Sequence, residues 1–302
     1  MILSPFVSII IVQYNNSDDT IGCLESLKNL NYPNFRVVLI DNASEIKHFN
    51  NVRLYVESLK DIRFSFIVSK KNLGYSGGNN LGIKKALKNK ADYIFILNPD
   101  TTVKSTVLTK LIEVAEANSK IGIVGPTINE NASRIVYGGK INWLKPELAH
   151  SEIPPLNTDR LLLDTNLYIL GAAMLIKKNV INKIGLLDER YFLYFEDADY
   201  CMRARKVGCQ LAIATNTSID HSVSKSTNQL GSAKLLYYHY RNAHLFNWEN
   251  GPFYIKLALP FWSFFIIIKQ LAKILLDRES VISKAILAGI IDFYKKNFGK
   301  IS

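Results

Sequence analysis

The feature that most constrains the fold of this chain is a regular alternation between short apolar runs and segments with helical spacing. The apolar runs, rich in β-branched and aromatic residues, are Val7–Val12, Arg36–Ile40, Phe64–Val68 and Tyr93–Leu97. Between the first two, Ile21, Leu24 and Leu27 recur at helical spacing. Apolar strands joined by helices are typical of a mostly parallel sheet with helices on both faces. With 302 residues and 48% hydrophobic side chains, the chain can form one large α/β domain with an extension.

Polar side chains follow three of these four runs, at the point where each predicted strand ends. They are Tyr14–Asn15, Asp41–Asn42 and Asn98–Asp100. Ligands of open α/β sheets bind beyond the carboxyl ends of the strands, so these residues predict a binding site there. A single polar residue at such a point is equally well explained as a turn or a cap. Three sets together favour a site.

The glycine-rich segment Asn72–Gly82 lies between the third and fourth runs. Gly74, Gly77 and Gly78 permit close approach of a ligand to the main chain, and helical spacing follows from Leu81 to Leu87. Amides at the start of such a helix are suited to phosphate groups. The segment matches neither the dinucleotide-binding nor the P-loop pattern, and taken alone a flexible loop explains it better.

Asp100 is a candidate cation ligand. Pro99 ends the strand ladder, so the carboxylate that follows emerges at the edge of the sheet. A carboxylate there is suited to Mg²⁺ or Mn²⁺, which prefer oxygen ligands and also bind phosphate. A turn-forming Pro-Asp pair is the simpler alternative.

The densest acidic cluster is Glu196–Asp199, which follows the aromatic segment Tyr191–Phe195. Its last carboxylate is spaced i,i+4 with Arg203, which predicts an ion pair along a helix. The first two carboxylates, Glu196 and Asp197, are not explained by this ion pair. A carboxylate beside aromatic side chains is a suitable general base. Acidic caps at a helix start are the alternative.

Two further candidates are weaker. His221 follows an aspartate, and Arg241 follows a run of tyrosine and histidine residues. A lone histidine is more often structural than a ligand, and an arginine beside tyrosines often stacks on their rings.

The charge of the chain favours an anionic partner. The 37 Lys and Arg residues against 26 Asp and Glu give a net charge of +11, which suits nucleic acid, a membrane surface or a phosphorylated substrate. Residues 253–302 hold eight basic and three acidic residues, interleaved with Phe261, Trp262, Phe264 and Phe265. No nucleic-acid-binding motif is present. We therefore expect a basic helix that lies on an anionic membrane surface; a helix docked on the core is the alternative.

The expected location is the cytoplasm, on the inner face of the cell membrane. Leu257–Ile268 is the only membrane-like stretch, and its twelve uncharged residues fall short of the roughly 20 that cross a bilayer. No secretory signal is recognised at the start of the sequence. Three cysteines without a CxxC pair suit a reducing compartment.

Taken in order, these motifs resemble glycosyltransferase family 2, inverting enzymes of the GT-A fold. The resemblance rests on the segments Val7–Asn15, Val38–Ser44, Asn72–Asn79, Leu97–Asp100, Gly171–Met174, Glu196–Asp199 and His221. Each segment is loose, whereas their order and spacing are specific and cover nearly the whole chain. Tyr240–Asn242 and the closing segment Ala288–Lys300 look most like the rhamnosyltransferase branch of the family.

The resemblance implies a role for each matched residue. Asp197 would be the catalytic base, and Glu196 would orient the acceptor hydroxyl. Asp100 and His221 would bind Mg²⁺ or Mn²⁺, although Asn98 replaces the first aspartate of the fuller Asp-x-Asp motif. The residues implied to bind substrate are Tyr14, Asn15, Asp41, Asn42, Asn72, Gly74, Gly78, Asn79, Asn98 and Arg241. Among them, the Asp41 carboxylate would accept a hydrogen bond from uracil or thymine.

The function that the resemblance implies is transfer of a sugar from a nucleotide-diphosphate donor, dTDP-L-rhamnose, to a lipid-linked saccharide in bacterial surface polysaccharide synthesis. Residues 1–250 would form the catalytic domain, and residues 251–302 a basic amphipathic helical extension on the membrane surface. Two alternatives stay open. One is a family 2 enzyme that uses a UDP-sugar such as UDP-galactose or UDP-N-acetylglucosamine, and the other is a non-catalytic carbohydrate-binding protein.

Overall fold

The computed structural model describes residues 4–131, 134–143, 147–152, 159–222, 231–276 and 280–301. The strands are β1 (Val7–Gln13), β2 (Phe35–Asp41), β3 (Phe64–Val68), β4 (Tyr93–Leu97), β5 (Thr101–Val103), β6 (Ile121–Asn131), β7 (Arg134–Val136), β8 (Gly139–Asn142), β9 (Glu147–His150), β10 (Arg160–Leu162), β11 (Leu167–Tyr168), β12 (Ala173–Lys177) and β13 (Gln210–His221). The helices are α1 (Ser17–Lys28), α2 (Ile46–Leu59), α3 (Gly74–Lys88), α4 (Val107–Glu116), α5 (Lys178–Ile184), α6 (Glu196–Lys206), α7 (Ser232–Asn250), α8 (Phe253–Leu275) and α9 (Ser280–Tyr294).

The main sheet has the order β10-β13-β6-β12-β4-β1-β2-β3, with β5 paired to β13 and β7 to β6. The strands β3, β2, β1 and β4 are parallel, β6 and β13 are parallel, and β12 runs antiparallel between the two groups. The chain leaves β1 toward β2 on one side and returns to β4 on the other. This reversal opens a crevice at the carboxyl ends of β1 and β4, where α/β proteins bind ligands. The predicted α/β architecture, a mostly parallel sheet flanked by helices with a helical C-terminus, is confirmed.

Helix α3 lies close on the sheet because its glycines face strand side chains. A Cβ atom at Gly82 would lie 2.3 Å from Ile10 Cγ2, and one at Gly78 would lie 2.7 Å from Val12 Cγ1. The glycine-rich segment is therefore the first half of the helix. The expected helix start at Leu81 was too late, because glycine-rich composition concealed a helix that tertiary packing stabilises.

A second sheet has the order β11-β8-β9 and comes from residues 139–168, which lie beyond the alternating runs of the first hundred residues. Its strands are short and pair locally, Gly139 with His150 and Tyr168 with Gly139. His150, at the end of β9, faces the crevice.

Helices α7, α8 and α9 form the C-terminal part of the molecule. His244 Nε2 lies 3.0 Å from Ser263 Oγ, which lies 2.8 Å from the Tyr294 hydroxyl, so one hydrogen-bond network joins the three helices. The apolar stretch recognised in the sequence, Leu257–Ile268, is shorter than the helix that contains it. Helix α8 continues through Lys256 and Lys269 over 23 residues and is long and apolar enough, by length and composition only, to cross a membrane. A single helix of this kind is weak evidence for a membrane span.

Candidate active site

A pocket of about 410 Å³ lies at the carboxyl ends of β1 and β4. It collects side chains from the strand ends, from the start of α3, from the start of α6 and from the end of β13. The predicted site residues that line it are Tyr14, Asn42, Asn72, Gly74, Asn98, Asp100, Glu196, Asp197 and His221. Residues that are far apart in sequence therefore converge in one cavity, and Tyr14, Asn42, Asn98 and Asp100 are the strand-end residues among them.

Asp41 and Asn15 lie next to the pocket and outside its lining. The Asp41 side chain is buried at the end of β2, where it accepts hydrogen bonds from the Gln13 side chain and from the Ser44 amide. Asn15 has φ 51° and accepts from the Glu45 amide through its side chain at 2.7 Å. Both residues shape the two loops that follow β1 and β2.

Gly78, Asn79 and Arg241 also lie outside the pocket lining. Gly78 packs on the sheet, and Asn79 donates to the carbonyl oxygen of Tyr75 at 3.0 Å. Arg241 is 1% exposed and donates to main-chain carbonyl oxygens, including that of Gly299 at 2.8 Å. These three residues hold elements of the site in place in this structure.

Strand pairing brings Asp100 and His221 together. Strand β5 begins directly after Asp100 and pairs antiparallel with β13, with Thr101 opposite His221. The amide of Ser222 donates to the Asp100 carbonyl at 3.0 Å. As a result, Asp100 Oδ1 lies 3.3 Å from His221 Nε2.

The Asp100–His221 pair fits a divalent cation. Both facing atoms are buried and have no hydrogen-bond partner. A neutral imidazole and a carboxylate are suitable ligands, and Mg²⁺ or Mn²⁺ completes its shell with diphosphate oxygens and water. Within the described ranges, no group of three or more His, Cys, Asp and Glu side chains could hold a metal by itself. The residues therefore suit a cation that binds together with its phosphate ligand.

Helix α6 begins at Glu196 and places two adjacent carboxylates in the pocket. Asp197 Oδ2 accepts from the Gly171 amide at 2.8 Å, and Asp197 Oδ1 accepts from the Ala198 amide at 2.8 Å. Glu196 is 6% exposed, and its Oε2 atom has no partner. The two carboxylates thus differ in environment: one is held by main-chain amides, and the other is free to bind a ligand.

Burial changes the protonation of both carboxylates. Desolvation raises the pKa of Glu196 well above its ordinary value, and the adjacent Asp197 charge raises it further. Desolvation also raises the pKa of Asp197, but the Gly171 and Ala198 amides oppose that rise. Glu196 therefore takes up a proton first as the pH falls, and Asp197 is the more acidic member of the pair.

Asp199, the last carboxylate of the cluster, is structural. Its Oδ2 atom accepts from Arg203 Nε at 2.8 Å, which confirms the predicted i,i+4 ion pair. Its Oδ1 atom accepts from Asn250 Nδ2 at 2.8 Å. Asp199 thus ties α6 to the end of α7.

Several lining residues were missed by sequence reasoning. Glu130 and His150 face the pocket from β6 and β9, with Glu130 Oε1 2.6 Å from His150 Nδ1. Tyr75 donates its hydroxyl to the Gly171 carbonyl at 2.5 Å. No local pattern identifies the first two, because their contact depends on how the second sheet lies against β6 of the main sheet. Tyr75 lies inside the glycine-rich motif and was detectable there.

The fold and this pocket define the class: the chain is a nucleotide-diphospho-sugar transferase of the GT-A type. Residues 8–185, more than half of the chain, match the family model described as glycosyl transferase family 2. The chain belongs to this family and is an inverting glycosyltransferase.

Known relatives align over most of the chain. The low-salt glycan biosynthesis hexosyltransferase Agl10 of Haloferax volcanii is 26% identical over 250 residues, which are 79% of this chain and 74% of that protein. The dTDP-rhamnosyl transferase RfbF of Shigella flexneri is 23% identical over 248 residues, 78% of each chain. Among solved structures, the mannosyltransferase PcManGT of Pyrobaculum calidifontis, in complex with GDP-Man and Mn²⁺, has a TM-score of 0.59 at 13% identity and covers 98% of this chain and 89% of its own. That likeness shows the fold.

Proposed function

We propose that this enzyme transfers L-rhamnose from dTDP-L-rhamnose to a hydroxyl group of a lipid-linked saccharide in bacterial polysaccharide synthesis. The observation that carries the proposal is a set of buried atoms that face one pocket and make no hydrogen bond, two of which, Asp100 Oδ1 and His221 Nε2, lie 3.3 Å apart. The other two are Asn98 Oδ1 and Glu196 Oε2. A buried polar atom without a partner costs about 1–3 kcal/mol. A polar, anionic ligand with its cation and an acceptor hydroxyl would satisfy all four.

The donor side of the site is the edge formed by β1, β4 and α3. Tyr14, Asn42 and Asn72 line it, and Asn42 Nδ2 donates to Asn72 Oδ1 at 3.2 Å, which fixes the loop ahead of α3. Asp100 and His221 would hold Mg²⁺ or Mn²⁺. When bound, the cation would stabilise the negative charge that develops on the departing nucleoside diphosphate.

The acceptor side is the start of α6. Asp197 would remove the proton of the attacking hydroxyl, since it is the more acidic carboxyl group and is held in a fixed orientation by Gly171. Glu196, whose pKa is raised, would retain its proton and orient the acceptor through Oε2. The new bond forms from the acceptor oxygen to the anomeric carbon, the bond to the diphosphate breaks on the opposite face, and the configuration inverts.

The rhamnose donor is supported by the similarity to RfbF and by the Tyr240–Asn242 motif. The test is release of the nucleoside diphosphate from dTDP-L-rhamnose, UDP-galactose, UDP-N-acetylglucosamine and GDP-mannose, with Mn²⁺ or Mg²⁺ present. We expect release from dTDP-L-rhamnose alone. Release of UDP would favour the UDP-sugar alternative over dTDP-L-rhamnose as the donor. Saccharide binding without turnover of any donor would favour the non-catalytic alternative.

We also propose that the enzyme works on the cytoplasmic membrane surface through its C-terminal part. One side of α8 is an apolar stripe between 44% and 85% exposed, formed by Phe253, Tyr254, Leu257, Phe261, Phe264, Phe265, Ile268, Leu271 and Leu275. The opposite side packs on the protein through Ile255, Leu259 and Ser263. With the positive charge of residues 253–302, such a stripe suits a helix that lies in the interface of an anionic bilayer. Residues 1–250 are then the catalytic domain and residues 251–302 the membrane-surface extension.

A further inference from the structure

The loop formed by residues 190–195 delivers the two catalytic carboxylates to the pocket. Two consecutive residues in it, Tyr194 and Phe195, have φ of 73° and 74°, in the left-handed region that residues with side chains rarely adopt. Such a conformation persists only where surrounding contacts hold it. Asn242, on α7, provides two of these contacts: its Nδ2 atom donates to the carbonyl oxygens of Leu193 at 2.7 Å and Tyr194 at 3.2 Å.

Arg241, the neighbour of Asn242, holds the start of the same loop. Its guanidinium donates to the carbonyl oxygen of Arg190 at 3.3 Å and to that of Gly299 at 2.8 Å. Its Cζ atom lies 5.3 Å and 5.1 Å from the ring centroids of Tyr237 and Tyr238. Its Nε atom donates to Asn242 Oδ1 at 3.1 Å. A buried arginine that donates to two carbonyl groups far apart in sequence holds those two segments together.

The C-terminal tail, residues 298–301, contacts the loop and α7 directly. The Gly299 amide donates to the Arg190 carbonyl at 3.1 Å, so that one oxygen accepts from both the tail and Arg241. The Ile301 amide donates to the Tyr238 hydroxyl at 2.9 Å. The tail therefore contacts both the start of the loop, at Arg190, and α7, at Tyr238, and links the two.

The loop also reaches the donor side of the site. The Phe192 ring, which lines the pocket, stacks on Tyr238 with centroids 5.1 Å apart. The Phe192 carbonyl oxygen accepts from the Tyr75 amide at 2.8 Å and lies against Gly74, where a Cβ atom would be only 2.3 Å away. A displaced loop would therefore misplace the carboxylates and one pocket wall together.

We propose that Arg241 is a positioning residue: it ties the C-terminal tail to the 190–195 loop and thereby holds Glu196 and Asp197 in the arrangement that transfer requires. The C-terminal extension then completes the active site in addition to any role on the membrane. The activity readout of this inference rests on the proposed function.

The test compares the full chain with Arg241→Lys, Arg241→Gln and a deletion of residues 298–302. Arg53→Gln, at an exposed ion pair on α2, is the matched control. We expect kcat/KM for release of dTDP from dTDP-L-rhamnose to fall about tenfold or more in the first three, because both the carboxylates and the pocket wall formed by Phe192 are displaced. Hydrogen exchange of residues 190–197 should quicken about tenfold or more while exchange of β1 and β2 stays unchanged.

A double-mutant cycle makes the test specific to the contact. If Arg241 acts through the tail, Arg241→Gln combined with the deletion should cost no more than the more damaging single change, within about twofold. Wild-type exchange at residues 190–197 in both Arg241 variants would overturn the inference, as would faster exchange throughout the sheet, which marks a general loss of stability. If the wild-type chain turns over no donor, the proposed function fails, and hydrogen exchange still decides the inference.

Discussion

Asp197 and Glu196 are adjacent in sequence and differ in environment: main-chain amides hold the Asp197 carboxylate, whereas Glu196 Oε2 has no hydrogen-bond partner. The separate roles proposed for them rest on that difference. Asp197→Asn keeps the size of the side chain and one of its two main-chain hydrogen bonds, because the amide oxygen still accepts while the NH2 group does not, and it removes the proton acceptor. We expect the transfer rate to fall about 10²–10⁴-fold, with nucleotide affinity unchanged. Turnover and nucleotide-binding assays on this variant, with the exposed Glu113→Gln as control, measure the effect. Transfer within about tenfold of wild type would remove Asp197 from the role of base.

Glu196 is expected to reduce stability as the pH rises. Its pKa is raised by folding, so above its ordinary value of 4.5 the unfolded chain releases the proton and the folded chain retains it. Ionisation then favours the unfolded state, and this loss grows with pH until the folded pKa is passed. Glu196→Gln removes the effect.

We therefore expect Glu196→Gln to raise the free energy of unfolding by about 1 kcal/mol at pH 8, roughly 2 °C in melting temperature. The gain should vanish near pH 4, where the glutamate is protonated in both states. Thermal unfolding of both proteins across this pH range checks the prediction. A gain of equal size at pH 4 and pH 8 would show that the cause is something other than ionisation.

At the scale of elements, the close packing of α3 on the sheet determines the shape of the pocket on the side where the donor is proposed to bind. Gly82→Ala would place a methyl group 2.3 Å from Ile10 and 2.9 Å from Ile40, so the helix must shift. We expect a loss of about 1–3 kcal/mol in the free energy of unfolding and weaker nucleotide binding. Gly22→Ala, on α1, meets no atom within 4 Å and should instead stabilise by about 0.5–1 kcal/mol. Denaturant unfolding of the two variants gives the comparison, and equal effects would contradict the packing argument.

Sequence reasoning succeeded where local pattern and tertiary packing agree. The bounds of β3 and β4 matched, because each is an apolar run closed by turn residues. Helix α8 was underestimated, because Lys256 and Lys269 lie within it and long lysine side chains extend along a helix toward solvent. The error was to end the apolar helix at the charged residue on either side.

In the site, too, the residues marked by a local pattern were predicted, and the contacts that depend on tertiary structure were not. Asp100 was found from the strand-end pattern alone, whereas its contact with His221 depends on pairing between β5 and β13, and only the family resemblance implied it. The Glu130–His150 pair had neither signal, since it joins β6 of the main sheet to β9 of the second sheet. Contacts between distant strands leave no trace in local spacing.

At the scale of the whole molecule, the apolar stripe of α8 is expected to determine membrane association. Phe261→Asp with Phe265→Asp should reduce co-sedimentation of the full chain with phosphatidylglycerol vesicles about tenfold or more, because two exposed rings leave the interface. Ile62→Asp, at an apolar position on the main domain that is more exposed than either phenylalanine, is the control. Binding that survives both the substitutions and alkaline extraction would indicate that α8 spans the membrane.

The carboxyl edge of the sheet is proposed to bind a nucleoside diphosphate together with a cation held by Asp100 and His221. The most direct measurement is thermal unfolding of wild type and Asp100→Ala with dTDP, UDP or GDP, each with and without Mn²⁺. We predict that dTDP stabilises the wild type only when Mn²⁺ is present, by about 2.7 kcal/mol at 100 times its Kd, and that Asp100→Ala unfolds cooperatively but loses this shift. The absence of a shift with every nucleotide, or an equal shift in both proteins, would contradict the account.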